Sequence, residues 1–317
     1  MRNPRHLLLV LLVATICGQN FVSGQSMTGS SQQSPNLTYH SAVSEVRLVF
    51  FATDEHNHLV QELQKDDFAV VDNESVIRDF RSFSRADLFK LDVVVLLDSS
   101  ESVLPHFEEE IADVQKLISH SRWGSEDKVS VLSLSGLEAR LVCSEDCRSS
   151  FTVDRIASLP RGGATPLFDA LEVATEILMR RRQPDVWPLI ILFSDGDDTI
   201  SKASLQDISG KILEVGAQIY AVDLSNPRRP SNGTAMLQRI TENSGGRCIR
   251  TSEGAARVFD DVIDDLHSAR AVTYVPSQSG SKFHSVRIFP THNLGWQFRC
   301  RSSYYYRSNT AHQEDSP

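Results

Sequence analysis

Residues Leu91–Ser102 read LDVVVLLDSSES. An unbroken Val/Leu run ends at Asp98, and three serines and one more acid follow. A run apolar on both sides fits a strand buried on both faces of a parallel sheet. Ligand sites in such sheets form just beyond the carboxyl ends of the strands, which is where Asp98, Ser100 and Ser102 fall. Their side chains offer only oxygen. That suits a hard cation such as Mg²⁺, which takes oxygen ligands in octahedral geometry and keeps several waters.

Two other stretches complete such a site. Arg161–Leu167 is RGGATPL, a Gly-rich turn that offers the hydroxyl of Thr165, with Pro166 placed to start a helix. Leu189–Asp198 is LIILFSDGDD, a second buried strand that ends at Asp195. Three separate loops thus converge.

This trio resembles the metal-ion-dependent adhesion site of von Willebrand factor type A domains. Asp98, Ser100, Ser102, Thr165 and Asp195 match its five positions. The resemblance implies that the two serines and the threonine contact the cation directly or through water, and that the aspartates mostly hold bound water. It implies Mg²⁺, with Mn²⁺ or Ca²⁺ as alternatives. A coordination position then stays open for an Asp or Glu of a protein partner. Glu101, Asp197 and Asp198 lie beside the site. They read either as groups that tune metal affinity or as solvated acids at loop tips. Asp223, at the end of a later strand, reads as a loop cap.

Strand and helix alternate from Leu88 to Arg270, which predicts a doubly wound, mostly parallel α/β sheet with helices on both faces. Ala139–Cys143 is expected as an antiparallel edge strand. Both flanks are β-rich: Glu45–Asp54, Phe68–Val71 and Val76–Phe83 before the α/β region, and Val272–Val275, His284–Phe289 and Trp296–Cys300 after it. Neither flank can bury a core alone. They are expected to pair into one small antiparallel β domain, with the α/β domain inserted between them. The expected segments are a signal peptide (1–24), a flexible leader (25–44), the first β part (45–87), the α/β domain (88–270), the second β part (271–307) and a disordered tail (308–317). The flanks, including Asp66-Asp67-Phe68 and Tyr304-Tyr305-Tyr306, look like those of secreted proteins of this family from acidobacteria.

The leader has Arg2 and Arg5, the apolar run Leu7–Ile16 and then Val22-Ser23-Gly24, the order of a secretory signal. Cys17 raises a lipid-anchored alternative, which the bulky Ile16 before it disfavours. Export to the periplasm, envelope or medium follows, and no remaining segment is apolar enough to span a bilayer. Net charge is −9, and removing the two leader arginines leaves −11. That disfavours nucleic acid and anionic lipid as partners. Cys143, Cys147, Cys248 and Cys300 remain after cleavage and allow three disulfide pairings. The short acidic turn favours Cys143–Cys147, which leaves Cys248–Cys300.

The motifs of G-x-S-x-G hydrolases, P-loop enzymes and H-E-x-x-H metalloproteases do not occur. The expectation is therefore a non-enzymatic, metal-dependent adhesion-type binding module. A structural subunit of an envelope complex is the alternative, and a metal-assisted hydrolase ranks below both.

Overall fold

The computed structural model describes residues 45–119, 123–147, 150–226, 232–250, 255–277 and 282–306. The expected signal peptide, flexible leader and terminal tail lie outside these residues. Strands β1 (Val46–Thr53), β2 (Phe68–Asp72), β3 (Ser75–Ile77) and β4 (Ser82–Arg85) come first. The α/β region follows as β5 (Lys90–Asp98), α1 (Phe107–Ile118), β6 (Lys128–Ser135), β7 (Glu138–Cys143), α2 (Ser150–Ala157), α3 (Leu167–Arg180), β8 (Val186–Ser194), α4 (Leu205–Val215), β9 (Gln218–Asp223), α5 (Asn232–Ser244), β10 (Cys248–Arg250) and α6 (Ala255–Ser268). Strands β11 (Arg270–Tyr274), β12 (Phe283–Pro290), β13 (Gln297–Cys300) and β14 (Ser303–Tyr305) close the fold.

The central sheet has the order β10-β9-β8-β5-β6-β7. Strand β5 pairs in parallel with β8 and β6 and so lies in the middle. Its side chains alternate between two cores. Val93, Val95 and Leu97 face the layer containing α1 and α6, while Val94 and Leu96 face α3, α4 and α5. Double-sided burial is why the run carries no polar residue until Asp98. Strand β7 is the antiparallel edge, as its position after the β6 turn suggests. Helix α4 begins in a capping box between Ser204 and Asp207 and ends at Gly216 with φ +74°. Asp223 accepts from the Ser225 amide and the Thr234 hydroxyl, the loop-capping role its position suggests.

The flanks form two antiparallel sheets, β13-β1-β11-β4 and β14-β12-β2-β3, each containing strands from both sides of the α/β region. Phe50, Phe68, Val70, Val272, Tyr274 and Val286 fill the core between them. Phe50 and Phe68 have ring centroids 4.9 Å apart. Strand β1 reads out the period of two in an unusual way: Phe50 points into this sandwich, while Phe51 is buried in the α/β core. One face of the first sheet therefore serves as a layer of the α/β region.

Two expectations are corrected. Val76–Phe83, read as one strand, is split between β3 and β4, which belong to different sheets. The hairpin from β2 to β3 is as read, with Asn73 and Glu74 both at positive φ, but the chain then crosses to the other sheet. The β14 strand was not anticipated. Cys143 and Cys147 form the expected disulfide. Cys248 and Cys300 are free, contrary to the expected bridge. Layering separates them, because Cys248 packs against the α3–α5 core and Cys300 against the sandwich core. Burial pushes both thiols up to about 12, so neither is a ready nucleophile.

Candidate metal centre

Asp98 ends β5 and is fully buried, Ser100 is buried beside it, and Ser102 is exposed on the short 3-10 turn that follows. The Ser100 amide donates to Asp98 Oδ1 at 2.9 Å, which folds the loop back over the strand end. The Ser194 hydroxyl, at the end of β8, donates to Asp98 Oδ2 at 2.7 Å. Asp195 follows Ser194, is nearly buried, and accepts the Asp197 amide on Oδ1 at 3.1 Å. Thr165, also buried, reaches the same end of the sheet on the Gly-rich loop. The Gly162 amide donates to the Ser99 carbonyl at 2.7 Å, and the Glu101 amide to the Gly163 carbonyl at 3.2 Å. The Thr165 amide donates to the Thr199 hydroxyl at 2.8 Å, and the Thr199 amide returns to the Thr165 carbonyl at 3.0 Å. These bonds stitch the three loops together in pairs.

The donor chemistry fits a hard divalent cation. Ser100 Oγ and Ser102 Oγ are 3.2 Å apart. Neighbouring oxygens around an octahedral ion at about 2.0–2.4 Å are separated by about 2.8–3.4 Å, so these two hydroxyls have the spacing of one coordination edge. Among the described residues no three His, Cys, Asp or Glu side chains cluster as a metal site. Hydroxyls must therefore supply much of any coordination here. Both oxygens of Asp98 already accept hydrogen bonds, which suits a carboxylate that holds water better than one that ligates. Burial pushes the Asp98 carboxyl up to about 6, and the negative charge of Asp195 adds to the rise against the opposing Ser100 and Ser194 bonds. A cation would relieve that cost.

The neighbouring acids divide. Glu101 is exposed at the start of the turn. Asp197 is exposed, and burial and the Asp195 charge both raise its carboxyl. Asp198 instead accepts the Phe168 amide at 3.2 Å and the Ser201 hydroxyl at 2.5 Å, and so secures the start of α3.

A family model for the von Willebrand factor type A domain matches residues 93–197. The chain contains a von Willebrand factor type A domain. The match begins on β5 and ends just past Asp195, and so takes in all five of the oxygen-bearing positions. The chain is 28% identical over 175 residues to the magnesium-chelatase 60 kDa subunit of Cereibacter sphaeroides, covering 52% of this chain and 30% of that protein. It thus spans under a third of the length of that relative. Among solved structures, it is similar to an aerotolerance-related membrane protein from Bacteroides fragilis (18% identity, 56% of this chain and 98% of the other, TM-score 0.42). It is also similar to proximal thread matrix protein 1 from the mussel byssus with a zinc-occupied MIDAS motif (17% identity, 61% and 50%, TM-score 0.46).

Three residues of this von Willebrand factor A domain escape a motif reading. Ser194 and Thr199 bind through contacts that spacing does not announce. Glu110 did leave a signal. Its acids in the first turn of α1 suit the helix dipole, but Glu110 lies on the stripe of Phe107, Ile111 and Val114, three and four residues apart. It is buried, and neither carboxylate oxygen has a hydrogen-bond partner among the described residues. Burial first, and then the charge of Asp98, drive its carboxyl well above the usual range.

Gly196 fixes the Asp195 loop against α5. It sits at φ +83°, and a Cβ there would lie 2.4 Å from the Gly233 carbonyl oxygen. Gly196→Ala is expected to displace the loop, at a cost of at least about 1 kcal/mol from backbone conformation alone. Chemical denaturation and a Mg²⁺ titration of the variant check this: unchanged stability and affinity would mean that the two loops tolerate separation.

Proposed function

We propose that this chain is an exported, metal-dependent protein-interaction module. Mg²⁺, with Mn²⁺ or Ca²⁺ as alternatives, is held by Asp98, Ser100, Ser102, Thr165 and Asp195. An Asp or Glu of a protein partner completes the coordination. The domain is taken as 88–270, with the β flanks as its frame, and the likeness to secreted acidobacterial proteins belongs to this reading. The observation that carries it is the bonding of Asp98. Each Asp98 oxygen already accepts a hydrogen bond, which favours Asp98 holding the ion through water, whereas Asp195 accepts on Oδ1 and offers Oδ2 to ligate directly. One carboxylate and three neutral hydroxyls leave a divalent ion with net positive charge, so it attracts a further anionic oxygen. The exposure of Ser102 puts that position at the surface. The name of the Cereibacter relative ties that protein to magnesium, in keeping with this ion. None of the five side chains is an imidazole or amine that could act as a base near neutral pH, so we assign no catalytic role.

Calorimetry on Thr165→Ala should show Mg²⁺ affinity reduced about ten-fold or more, with the circular dichroism spectrum unchanged. Capture of a partner from the native envelope should require Mg²⁺, vanish in EDTA and vanish in Asp98→Ala. Capture that survives EDTA would favour the assembly-subunit reading. Metal-dependent turnover of an ester or phosphate, lost in Asp98→Ala, would favour the hydrolase.

A further inference from the structure

A cleft of about 810 Å³ lies at the opposite end of the central sheet, between the starts of β5, β8 and β9 and the strands of the sandwich. Arg47 of β1, Arg182 after α3 and Arg301 after β13 all line it. They come from distant parts of the sequence and none has a carboxylate partner among the described residues. Arg47 donates to the carbonyls of Pro184 and Val186, Arg182 to that of Glu214 at 3.3 Å, and Arg301 to that of Arg47 at 2.8 Å. Carbonyl dipoles orient a guanidinium but do not cancel its charge. Arg301 Nε is buried with no acceptor among the described residues. Of the acids that line the cleft, Asp92 is taken by Arg181 at 3.3 Å, while Glu45 and Glu214 are exposed.

Three like charges gathered in one cleft are costly, and the nearby Asp185 offsets part of that cost at Arg47. Burial lowers Arg47 to about 10, with Arg301 and Arg182 as the next causes, and burial likewise lowers Arg301. Aromatic rings hold two of the forks in place: Arg47 Cζ lies 4.3 Å from the Phe89 ring centroid and Arg301 Cζ 5.0 Å from that of Tyr304. A guanidinium stacked in this way has already given up the freedom that an anion would otherwise have to remove.

We propose that this cleft binds a multivalent oxyanion, a phosphate-bearing or polycarboxylate small molecule, contacted by Arg47, Arg182 and Arg301. The unused guanidinium N–H groups that face the cleft are its donors, and charge-assisted bonds of this kind are the strong ones. The ligand neutralises the junction between the α/β region and the sandwich, so its binding stabilises both. This site is independent of the metal centre.

Calorimetry on the full chain, kept free of divalent ions, tests the proposal with inorganic pyrophosphate and with citrate as separate probes. Saturable binding of at least one is expected, and it separates the phosphate source from the carboxylate source. Arg182→Gln, at an exposed residue with one main-chain contact, should weaken that binding about ten-fold or more while the protein stays folded. Arg301→Gln should do the same, with folding checked by circular dichroism. Asp98→Ala should bind the anion as the parent does. No saturable heat with either probe on folded protein, or equal affinity in Arg182→Gln, would overturn the proposal.

Discussion

Asp72→Ala is expected to destabilise the protein by roughly 3–5 kcal/mol, the range for removing one partner of a buried polar network. Asp72 is buried at the end of β2. Its Oδ1 lies 2.6 Å from His284 Nδ1 on β12, and its Oδ2 accepts the hydroxyls of Tyr274 on β11, at 2.9 Å, and of Tyr304 on β14. His284 is fully buried and stacks on Tyr304 with centroids 5.0 Å apart. Alanine would leave two phenols short of their acceptor, each at about 1–3 kcal/mol, with an imidazole beside them. The network joins strands from before and after the α/β region and from both sheets, so its loss should loosen the closure of the whole fold. Urea unfolding measures it. A loss below about 1 kcal/mol would mean that water or rearrangement replaces the carboxylate.

Without metal, the melting temperature should fall as pH rises from about 4 to about 7. Asp98 and Asp113 are each raised to about 6, both chiefly by burial, and burial also drives Glu110 well above the usual carboxylate range. A carboxyl whose folded pKa exceeds its unfolded value favours folding while it is protonated. That contribution is complete below about pH 4 and is lost as pH climbs through about 6. For Asp98 alone the two-unit rise corresponds to roughly 3 kcal/mol. Exposed pairs such as Lys90–Asp185 act in the opposite direction but weakly. Saturating Mg²⁺ should remove most of the fall, because it binds the ionised site and stabilises the folded state by mass action. Glu110→Gln should flatten the curve. Calorimetric scans in EDTA and in Mg²⁺ across this range decide the matter. A melting temperature that rises with pH in EDTA would show that these carboxyls are ionised at little cost.

The α/β half was legible because its signals are local. Double-sided burial forces Val93–Leu97 to be apolar, and the switch to oxygen-bearing side chains at Asp98 marks the strand end. The same holds at Asp195, and α4 announces both ends through Ser204 and Gly216. The sandwich was harder to read. Val76–Phe83 has continuous β character, and nothing local marks the point at which the chain leaves one sheet for the other. The Cys248–Cys300 pairing came from elimination, and the two thiols face different cores. Glu110 could have been found by asking why an acid sits on an apolar stripe.

Order along the chain therefore determined the alternation of strand and helix, the five oxygen-bearing positions and the participation of both flanks in one antiparallel β domain. Periodicity and strand ends are properties of neighbouring residues, and they survive in a linear reading. Only tertiary structure decided that Asp98 has both oxygens engaged, that Asp72 ties four strands together and that Arg47, Arg182 and Arg301 share one cleft. Each depends on contacts between residues dozens to hundreds of positions apart, whose energy comes from burial that no single segment experiences by itself.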